Sequence, residues 1–195
     1  MPKKALILIV GLIVAIGAGA AAYRAMMPGT MSDAPINSYL KGEMAKLSLP
    51  EKPVNIGDYR VLIPGERAIR ISSLKGKALL VNIWAPWCAP CREEMPELAN
   101  LQKKLGDDKF EVVAISVGKG SLGEAQDTLD EWGIKGLNVY ADPSMKIAFE
   151  LAKGALPTSF IVGADGKVRA MYLGPLKWDG DDAVKLFTAL KAGKI

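Results

Sequence analysis

The chain contains no histidine and only two cysteines, and these shortages exclude several kinds of site. Structural zinc takes four ligands, usually cysteine and histidine, so this chain cannot build such a site alone. Haem attachment requires a histidine directly after the second cysteine of a Cys-x-x-Cys pair, and Arg92 occupies that position. Without a third cysteine, the chain also has no wider disulfide framework.

The two cysteines, Cys88 and Cys91, lie three positions apart in the stretch NIWAPWCAPCREEMP. Such a pair can be a redox-active disulfide, a two-coordinate site for a soft metal such as copper(I), or a structural bridge. Closing so short a loop adds little stability by the chain-entropy argument, which disfavours the structural bridge. Redox chemistry and soft-metal binding both stay open at this point.

Long runs of basic residues are also absent, although the net charge is +4. Of the 25 basic residues, Lys3, Lys4 and Arg24 precede residue 25, where no acidic residue occurs, which leaves 22 basic against 21 acidic residues. The remainder is therefore nearly neutral and carries no electrostatic signature of nucleic-acid binding.

Residues 5–22 form an uncharged apolar stretch that predicts a transmembrane anchor. As a helix these residues would reach about 27 Å, close to the hydrocarbon thickness of about 30 Å. Lys3 and Lys4 precede the stretch, which predicts a cytoplasmic N-terminus and a periplasmic domain in the inner membrane. The alternative is a cleaved signal peptide ending at 18–20 or 20–22, but the stretch exceeds the usual apolar length of about 7–15 residues.

Residues 23–57 are predicted to form a tether, and residues 58–195 a single domain. Within the tether, apolar residues between Ile36 and Leu47 recur at helical spacing, which predicts a short amphipathic helix.

The pattern of the domain alternates between strands and helices, which indicates an α/β sheet covered on both faces. A C-terminal hairpin across GADGK makes the sheet mixed. The strand candidates are YRVLIP, RAIRI, ALLVNIW, FEVVAISV, LNVYAD, TSFIV and VRAMYL. The helix candidates are CREEMPELANLQKKL, a stretch near GEAQDTLDEWG, PSMKIAFELA and DDAVKLFTALKA.

The helix that follows the cysteines is predicted to carry acidic residues in its first turn and Lys103 and Lys104 in its last, as the helix dipole favours. Gly106 is predicted to end this helix and Pro96 to kink it.

Cys88 is predicted to lie where a buried strand leads into this helix. The unpaired N–H groups at a helix start stabilise a thiolate, the reactive form of cysteine. We therefore expect Cys88 to attack and Cys91 to resolve the resulting mixed disulfide. Pro90 is tolerated in a first helical turn.

Two segments of the chain resemble parts of a known protein family. WAPWCAPC resembles the thioredoxin active site, and GALPTSFIVGADGKV resembles the segment that carries its cis-proline. The resemblance implies a thioredoxin fold, a mixed central sheet flanked by helices, in which a cis Pro157 faces the cysteines. Leu156 and Thr158 flank it. The alternative is an ordinary trans proline that starts an edge strand.

The chain is most similar to the membrane-anchored TlpA/ResA-type thioredoxins. This resemblance covers roughly residues 58–195 and includes the continuation C-x-x-E-x-P after Cys91 and an insertion between about residues 120 and 140. The C-terminal LGPLKWDGDDAVKLF is similar to TlpA proteins of alphaproteobacteria.

Asn82 departs from the thioredoxin pattern, because an aspartate usually lies six residues before the first cysteine. In ResA-like proteins a glutamate three residues after the second cysteine plays a role comparable to that of the aspartate, and Glu94 matches this glutamate. A partly buried carboxyl has a raised pKa and could accept the Cys91 proton. The alternative makes Glu94 a solvated first-turn acid like Glu93.

Trp87 is predicted to be an exposed aromatic surface for partners, and the resemblance adds Pro90, Leu156 and Thr158 to the client-binding residues. Trp84 is predicted to belong to the core. Trp132 and Trp178 carry no functional signal in the sequence.

The resemblance implies a membrane-anchored thiol:disulfide oxidoreductase that acts mainly as a reductase of cysteine pairs in exported metalloproteins. The expected clients are copper-site proteins of cytochrome oxidase assembly; the alternative is reduction of apocytochrome thiols in cytochrome c maturation. A transmembrane electron donor would supply the electrons, with no cofactor beyond the disulfide and no metal.

Two other activities remain alternatives, a general disulfide oxidase and a copper(I)-binding chaperone. The chaperone would lack the distal histidine of related copper binders, and its candidate third ligand, Met95, fits core packing better.

Overall fold

The structure, a computed structural model, describes residues 36–195 except Glu66 and Ser121. The predicted anchor, residues 5–22, and the first part of the predicted tether lie outside the described residues. Within the described part, no helix combines the length and the apolar character needed to cross a membrane.

The described residues form one seven-stranded sheet in the order β2-β1-β5-β4-β3-β6-β7. Strands β3, β4 and β5 are parallel, and the other pairs are antiparallel, so the predicted mixed sheet with a C-terminal hairpin is confirmed. The strands are β1 (Arg60–Ile63), β2 (Arg67–Arg70), β3 (Ala78–Trp84), β4 (Phe110–Val117), β5 (Asn138–Asp142), β6 (Thr158–Val162) and β7 (Val168–Leu173).

The centre of the sheet is formed by its two longest strands, β3 and β4. Every residue of β3 and β4 is buried, as expected for strands covered on both faces. Because β3 and β4 are parallel, their carboxyl ends meet at one edge of the sheet. The residues that follow β3 lead directly into the cysteine pair.

Three α-helices occur in the described part, α1 (Ala89–Leu105), α2 (Leu122–Glu131) and α3 (Asp181–Lys191). Helices α1 and α3 contact each other, and the Phe187 ring of α3 packs on Phe110 of β4 with centroids 5.2 Å apart. Gly106 follows the last turn of α1, as predicted, and Pro96 lies inside the helix.

The prediction of acidic residues in the first turn of α1 is wrong. The helix begins at Ala89, with Cys88 as its N-cap, so its first turn contains no acidic residue. Glu93 and Glu94 lie one turn further along.

The helix predicted over PSMKIAFELA is reduced to one five-residue π-helical turn, Ile147–Leu151. The buried carboxylate of Asp142 accepts hydrogen bonds from the backbone N–H groups of Ser144 and Ile147, at 3.1 and 2.7 Å. Met145 adopts a positive φ of 57°. These features hold the start of the segment in a turn that no regular α-helix can include.

The amphipathic helix predicted between Ile36 and Leu47 is also wrong as a single element. Two 3₁₀ turns, Ile36–Tyr39 and Gly42–Lys46, occupy this region. Their apolar side chains nevertheless pack on the domain, and Met44 is fully buried. Ser48 then forms a pair of backbone hydrogen bonds of 2.9 Å with Met171 of β7.

Candidate redox site

Cys88 and Cys91 form a disulfide at the start of α1, with an S–S distance of 2.01 Å. The Cys88 sulfur also accepts a hydrogen bond from the backbone N–H of Cys91, at 3.3 Å. Cys88 thereby caps the helix, and Pro90 lies in the first turn. The unpaired N–H groups of the first turn favour negative charge on the Cys88 sulfur when the disulfide is reduced.

The two sulfur-bearing residues differ in accessibility. Cys88 is 8% exposed, whereas Cys91 is completely buried. A client thiol or disulfide can therefore approach Cys88 more readily than Cys91, which matches the predicted order of attack and resolution.

Pro157 lies at the same edge of the sheet as the cysteines. The Leu156–Pro157 peptide bond is cis, the geometry that the family resemblance implies. Thr158, which follows, pairs with Ile83 of β3, five residues before Cys88 along the chain. The fold thus brings the proline segment next to the strand that leads into the disulfide.

Trp87 offers an exposed aromatic surface directly before Cys88, with 64% of the residue exposed. Its ring lies over Gly118, at the end of β4. A Cβ atom at Gly118 would be only 2.7 Å from two ring carbons of Trp87. The absence of a side chain at Gly118 therefore allows the observed position of the ring.

Glu94 is buried one helical turn after Cys91, with 2% of the residue exposed. Its Oε1 accepts a hydrogen bond from the Asn82 side-chain amide at 2.6 Å. Its Oε2 accepts from the backbone N–H of Leu176 at 3.2 Å and from the Trp178 indole at 2.9 Å. The interpretation of Glu94 as a solvated first-turn acid does not hold.

Burial raises the pKa of Glu94 to about 7, although the hydrogen bonds from Trp178, Asn82 and Leu176 act in the opposite direction and nearby Glu97 adds a smaller upward effect. The carboxyl group can thus both accept and release a proton near neutral pH.

Asn82 cannot itself exchange a proton near neutral pH, yet it belongs to the same buried network. Its amide nitrogen donates to Glu94 and, at 2.9 Å, to the Ser159 hydroxyl on β6. The departure from the thioredoxin pattern therefore places a neutral donor where that pattern has a carboxyl group.

Sequence reasoning missed Trp178 as a residue of the site. The β7–α3 connection, residues 174–180, runs along α1 and reaches Glu94 through Leu176 and Trp178. The polar residues Glu94, Glu97 and Asn100 recur every three positions of α1. That spacing is the one signal that could have indicated a polar contact along this helix face.

Two other tryptophans, Trp84 and Trp132, contact each other. Trp84 is fully buried, which confirms its assignment to the core. Its ring packs on half-buried Trp132 with centroids 5.4 Å apart, and the Arg92 guanidinium lies 5.8 Å from the Trp132 ring centroid.

The cysteine pair offers a soft metal two sulfur ligands, which are bonded to each other in this structure. Met95 is fully buried in the core. In the described part of the chain, no group of three or more cysteine and acidic side chains is arranged to hold a metal ion.

The sheet order, the paired cysteines at a helix start and the neighbouring cis-proline define a thioredoxin-fold protein with a Cys-x-x-Cys site. The family model described as Redoxin matches residues 64–190, and the chain belongs to this family. Relatives named ResA, CycY and HelX confirm the TlpA/ResA type.

Three comparisons illustrate the similarity. The chain is 32% identical over 108 residues to the thiol-disulfide oxidoreductase ResA of Bacillus thuringiensis, a match covering 55% of this chain and 61% of the relative. It is 37% identical over 108 residues to the thiol:disulfide interchange protein CycY of Rhizobium leguminosarum, covering 55% and 56%.

The third comparison is with the crystal structure of a thiol:disulfide interchange protein of the thioredoxin family from Chlorobium tepidum. The TM-score is 0.56 at 28% identity, and the match covers 73% of this chain and 99% of the other. The chain thus matches nearly all of this solved chain but about three fifths of the ResA and CycY lengths.

Proposed function

We propose that the protein is a thiol:disulfide oxidoreductase that acts mainly as a reductase. The observation that carries the proposal is the Cys88–Cys91 disulfide at a helix start, with the buried carboxyl of Glu94 one turn further along. The names of the relatives support the same activity.

In the first step, the Cys88 thiolate of the reduced protein attacks a client disulfide. A bond forms between Cys88 and one client sulfur, and the other client sulfur leaves as a thiolate. The helix start stabilises the attacking thiolate, while Trp87, Pro90 and Leu156 provide the surface against which the client lies. Contrary to expectation, the side chain of Thr158 does not belong to this surface, because the residue is buried and its hydroxyl donates to the Ala155 carbonyl at 2.7 Å.

In the second step, Cys91 resolves the mixed disulfide. Glu94 accepts the proton of the Cys91 thiol, and the resulting thiolate attacks the Cys88 sulfur. The remaining client sulfur leaves and takes up a proton. The client has gained two electrons, and the Cys88–Cys91 disulfide, the state of this structure, has formed.

We also propose where the protein acts and which clients it reduces. The apolar stretch 5–22 after Lys3 and Lys4 supports an inner-membrane anchor with the domain in the periplasm. Because that compartment is oxidising, a transmembrane donor would return electrons to the protein. The clients would be cysteine pairs of copper-site proteins in cytochrome oxidase assembly, with apocytochrome thiols as the alternative.

Client reduction is tested with the Cys91→Ser variant. Since a serine hydroxyl cannot resolve the intermediate, client proteins should remain attached to Cys88 and be recoverable from an exported fraction by non-reducing electrophoresis and mass spectrometry. Cys88→Ser is the matched control and should trap none on Cys91, which is buried. Recovery of no adduct with Cys91→Ser would contradict the proposal.

The direction of electron flow is tested by the reduction potential of the Cys88–Cys91 pair, measured by equilibration with glutathione and tryptophan fluorescence. A reductase should lie near or below the thioredoxin value of about −270 mV. A potential near the value of about −120 mV typical of strong oxidants would instead identify a disulfide donor.

A further inference from the structure

The two carboxylate oxygens of Glu94 have different partners. Oε2 accepts two hydrogen bonds, from the Leu176 backbone N–H and the Trp178 indole, whereas Oε1 accepts one, from the Asn82 amide. All three donors are neutral. Each carboxylate oxygen has two acceptor sites. Both sites of Oε2 are taken, so a proton there would displace a donor, whereas Oε1 keeps one site for a proton.

The donors to Oε2 are held in place. One belongs to the backbone, and the other to a fully buried indole whose ring lies 6.3 Å from that of Phe187. The β7–α3 connection that carries both is tied to α1 at three further points. The Trp178 backbone N–H donates to the Glu97 carboxylate at 3.2 Å. The Asn100 side-chain amide donates to the Asp179 carboxylate at 2.9 Å, and the Lys104 ammonium donates to the Asp179 backbone carbonyl at 2.7 Å.

The donor to Oε1 can turn. The Asn82 amide nitrogen donates to Glu94 and Ser159, while its fully buried Oδ1 has no hydrogen-bond partner among the described residues. Turning the amide by about 180° would direct Oδ1, which has two acceptor sites, toward the same two groups. A protonated Oε1 could then donate to Oδ1, and the Ser159 hydroxyl can donate as well as accept.

We propose that Trp178, together with the Leu176 backbone amide, is a positioning residue that fixes Oε2 of Glu94 and leaves Oε1, opposite Asn82, as the atom that exchanges the proton. This inference rests on the proposed role of Glu94 as acceptor of the Cys91 proton. Trp178 touches neither the client nor the sulfurs in this role and acts through the carboxyl group.

The charged surroundings of Glu94 are sparse. On its own helix Glu97 is the near charge. Asp179 and Lys177 on the β7–α3 connection act on Glu97, as does Glu43 of the 3₁₀ turn Gly42–Lys46. Asn82 of β3, which contacts Glu94, and Ser159 of β6, which contacts Asn82, are both neutral. Neutral hydrogen bonds therefore control the ionised form, so the loss of one donor should be measurable.

The test is Trp178→Phe in the full-length chain, a change that keeps an aromatic ring and removes the indole N–H. The Glu94 carboxyl is followed across pH by ¹³C NMR in the oxidised protein, with its signal assigned by Glu94→Gln. In parallel, the rate at which Cys91 resolves a Cys88–glutathione mixed disulfide is measured across pH. The midpoint of the Glu94 titration and the midpoint of the rate–pH profile should both rise by about one pH unit, because the ionised Glu94 carboxylate loses a hydrogen bond.

Trp84→Phe is the matched control, since Trp84 is equally buried but its indole nitrogen has no hydrogen-bond partner among the described residues. In Trp84→Phe, the Glu94 carboxyl should titrate with the same midpoint as in the wild type. If Trp178→Phe does not fold, 3-benzothienylalanine at position 178 keeps the ring shape and removes only the donor.

An unchanged carboxyl midpoint in the folded variant would overturn the inference, because a residue that only packs would reduce stability without moving the midpoint. A carboxyl midpoint that rises while the rate profile stays fixed would support the positioning of Glu94 and overturn its role as proton acceptor for Cys91. The two proposals can therefore fail separately.

Discussion

Two buried glutamates, Glu94 on α1 and Glu111 on β4, each accept three hydrogen bonds but differ in their donors. Glu111 accepts from Asn138 at 2.9 Å, from Tyr140 at 2.6 Å and from the Lys77 ammonium at 3.0 Å. The three donors to Glu94 are all neutral. The number of hydrogen bonds is thus the same, and the positive charge is the main difference.

Burial and hydrogen bonding together set the charge state of the two groups. Burial raises the pKa of Glu94 to about 7 despite its donors. Burial acts in the same direction on Glu111, but Tyr140, Asn138 and Lys77 outweigh it and hold the pKa below its ordinary value. Glu94 can therefore exchange a proton near pH 7, whereas the donors to Glu111 favour its ionised form.

The two groups also lie at opposite ends of the parallel strands. Lys77 precedes β3, and Glu111 is the second residue of β4, so their pair lies near the amino ends. Glu94 lies on the helix that begins at the disulfide, which follows the carboxyl end of β3. The fold therefore places a fixed ion pair away from the redox edge and a titratable carboxyl close to it.

Of the substitutions at the two glutamate sites, Glu94→Gln should have the largest effect on the free energy of unfolding and its pH dependence. In the oxidised wild type, the folded pKa of about 7 exceeds the unfolded value of 4.5, so the folded state binds the extra proton between these values. Stability should fall by about 3 kcal/mol as pH rises through this window. Glu94→Gln should remove that fall and be the more stable protein at pH 8, as measured by urea unfolding.

The control for this stability effect is Glu93→Gln, because Glu93 is an exposed neighbour on the same helix. It should keep the pH dependence of the wild type. The same decline of stability in Glu94→Gln as in the wild type would show that Glu94 does not titrate in this window.

Glu94→Gln also tests the proton-acceptor role by stopped-flow kinetics. Loss of a general base typically slows a proton-transfer step by about 100-fold or more. Resolution by Cys91 should therefore slow by about this factor, while the first attack by Cys88 changes little. Equal effects on both steps would remove Glu94 from the mechanism.

Much of the fold could be predicted from the sequence because its signals are local. Buried strands such as β3 and β4 are rich in aliphatic and β-branched residues, and the β6–β7 hairpin is marked by its turn residues. The segment after Asp142 could not be predicted, because a buried carboxylate and the positive φ of Met145 override its helical pattern.

The candidate site was predictable only in part. Cys88, Cys91 and Glu94 lie within seven residues, so spacing alone brings them together on one helix. Trp178 reaches Glu94 from 84 positions away, and Asn82 from 12 positions away on another element. The Trp178 contact depends on how the β7–α3 connection packs against α1, and the Asn82 contact depends on how α1 packs against β3. No local pattern identifies the partner residue in either case.

Lys77→Met, which removes the ammonium beside Glu111, should have a smaller effect on the free energy of unfolding. Lys77 is one-third exposed and Glu111 nearly buried, with side-chain exposures of 34% and 6%. Removing one partner of a fully buried pair costs about 3–5 kcal/mol, and the partial exposure of Lys77 reduces this to about 2 kcal/mol. Urea unfolding at pH 7 should show this loss of stability.

The pH dependence distinguishes a lost charge from lost packing. The lowered folded pKa of Glu111 provides stability above its unfolded pKa, and this contribution disappears as pH falls through the folded pKa. The difference between Lys77→Met and the wild type should therefore shrink in acid. Lys75→Met, at an exposed lysine two residues earlier, should change stability little. A deficit in Lys77→Met that stays constant from pH 7 into acid would mean that the ammonium does not help to set the charge state of Glu111. The contrast with Glu94 would then rest on burial and on the neutral donors Tyr140 and Asn138.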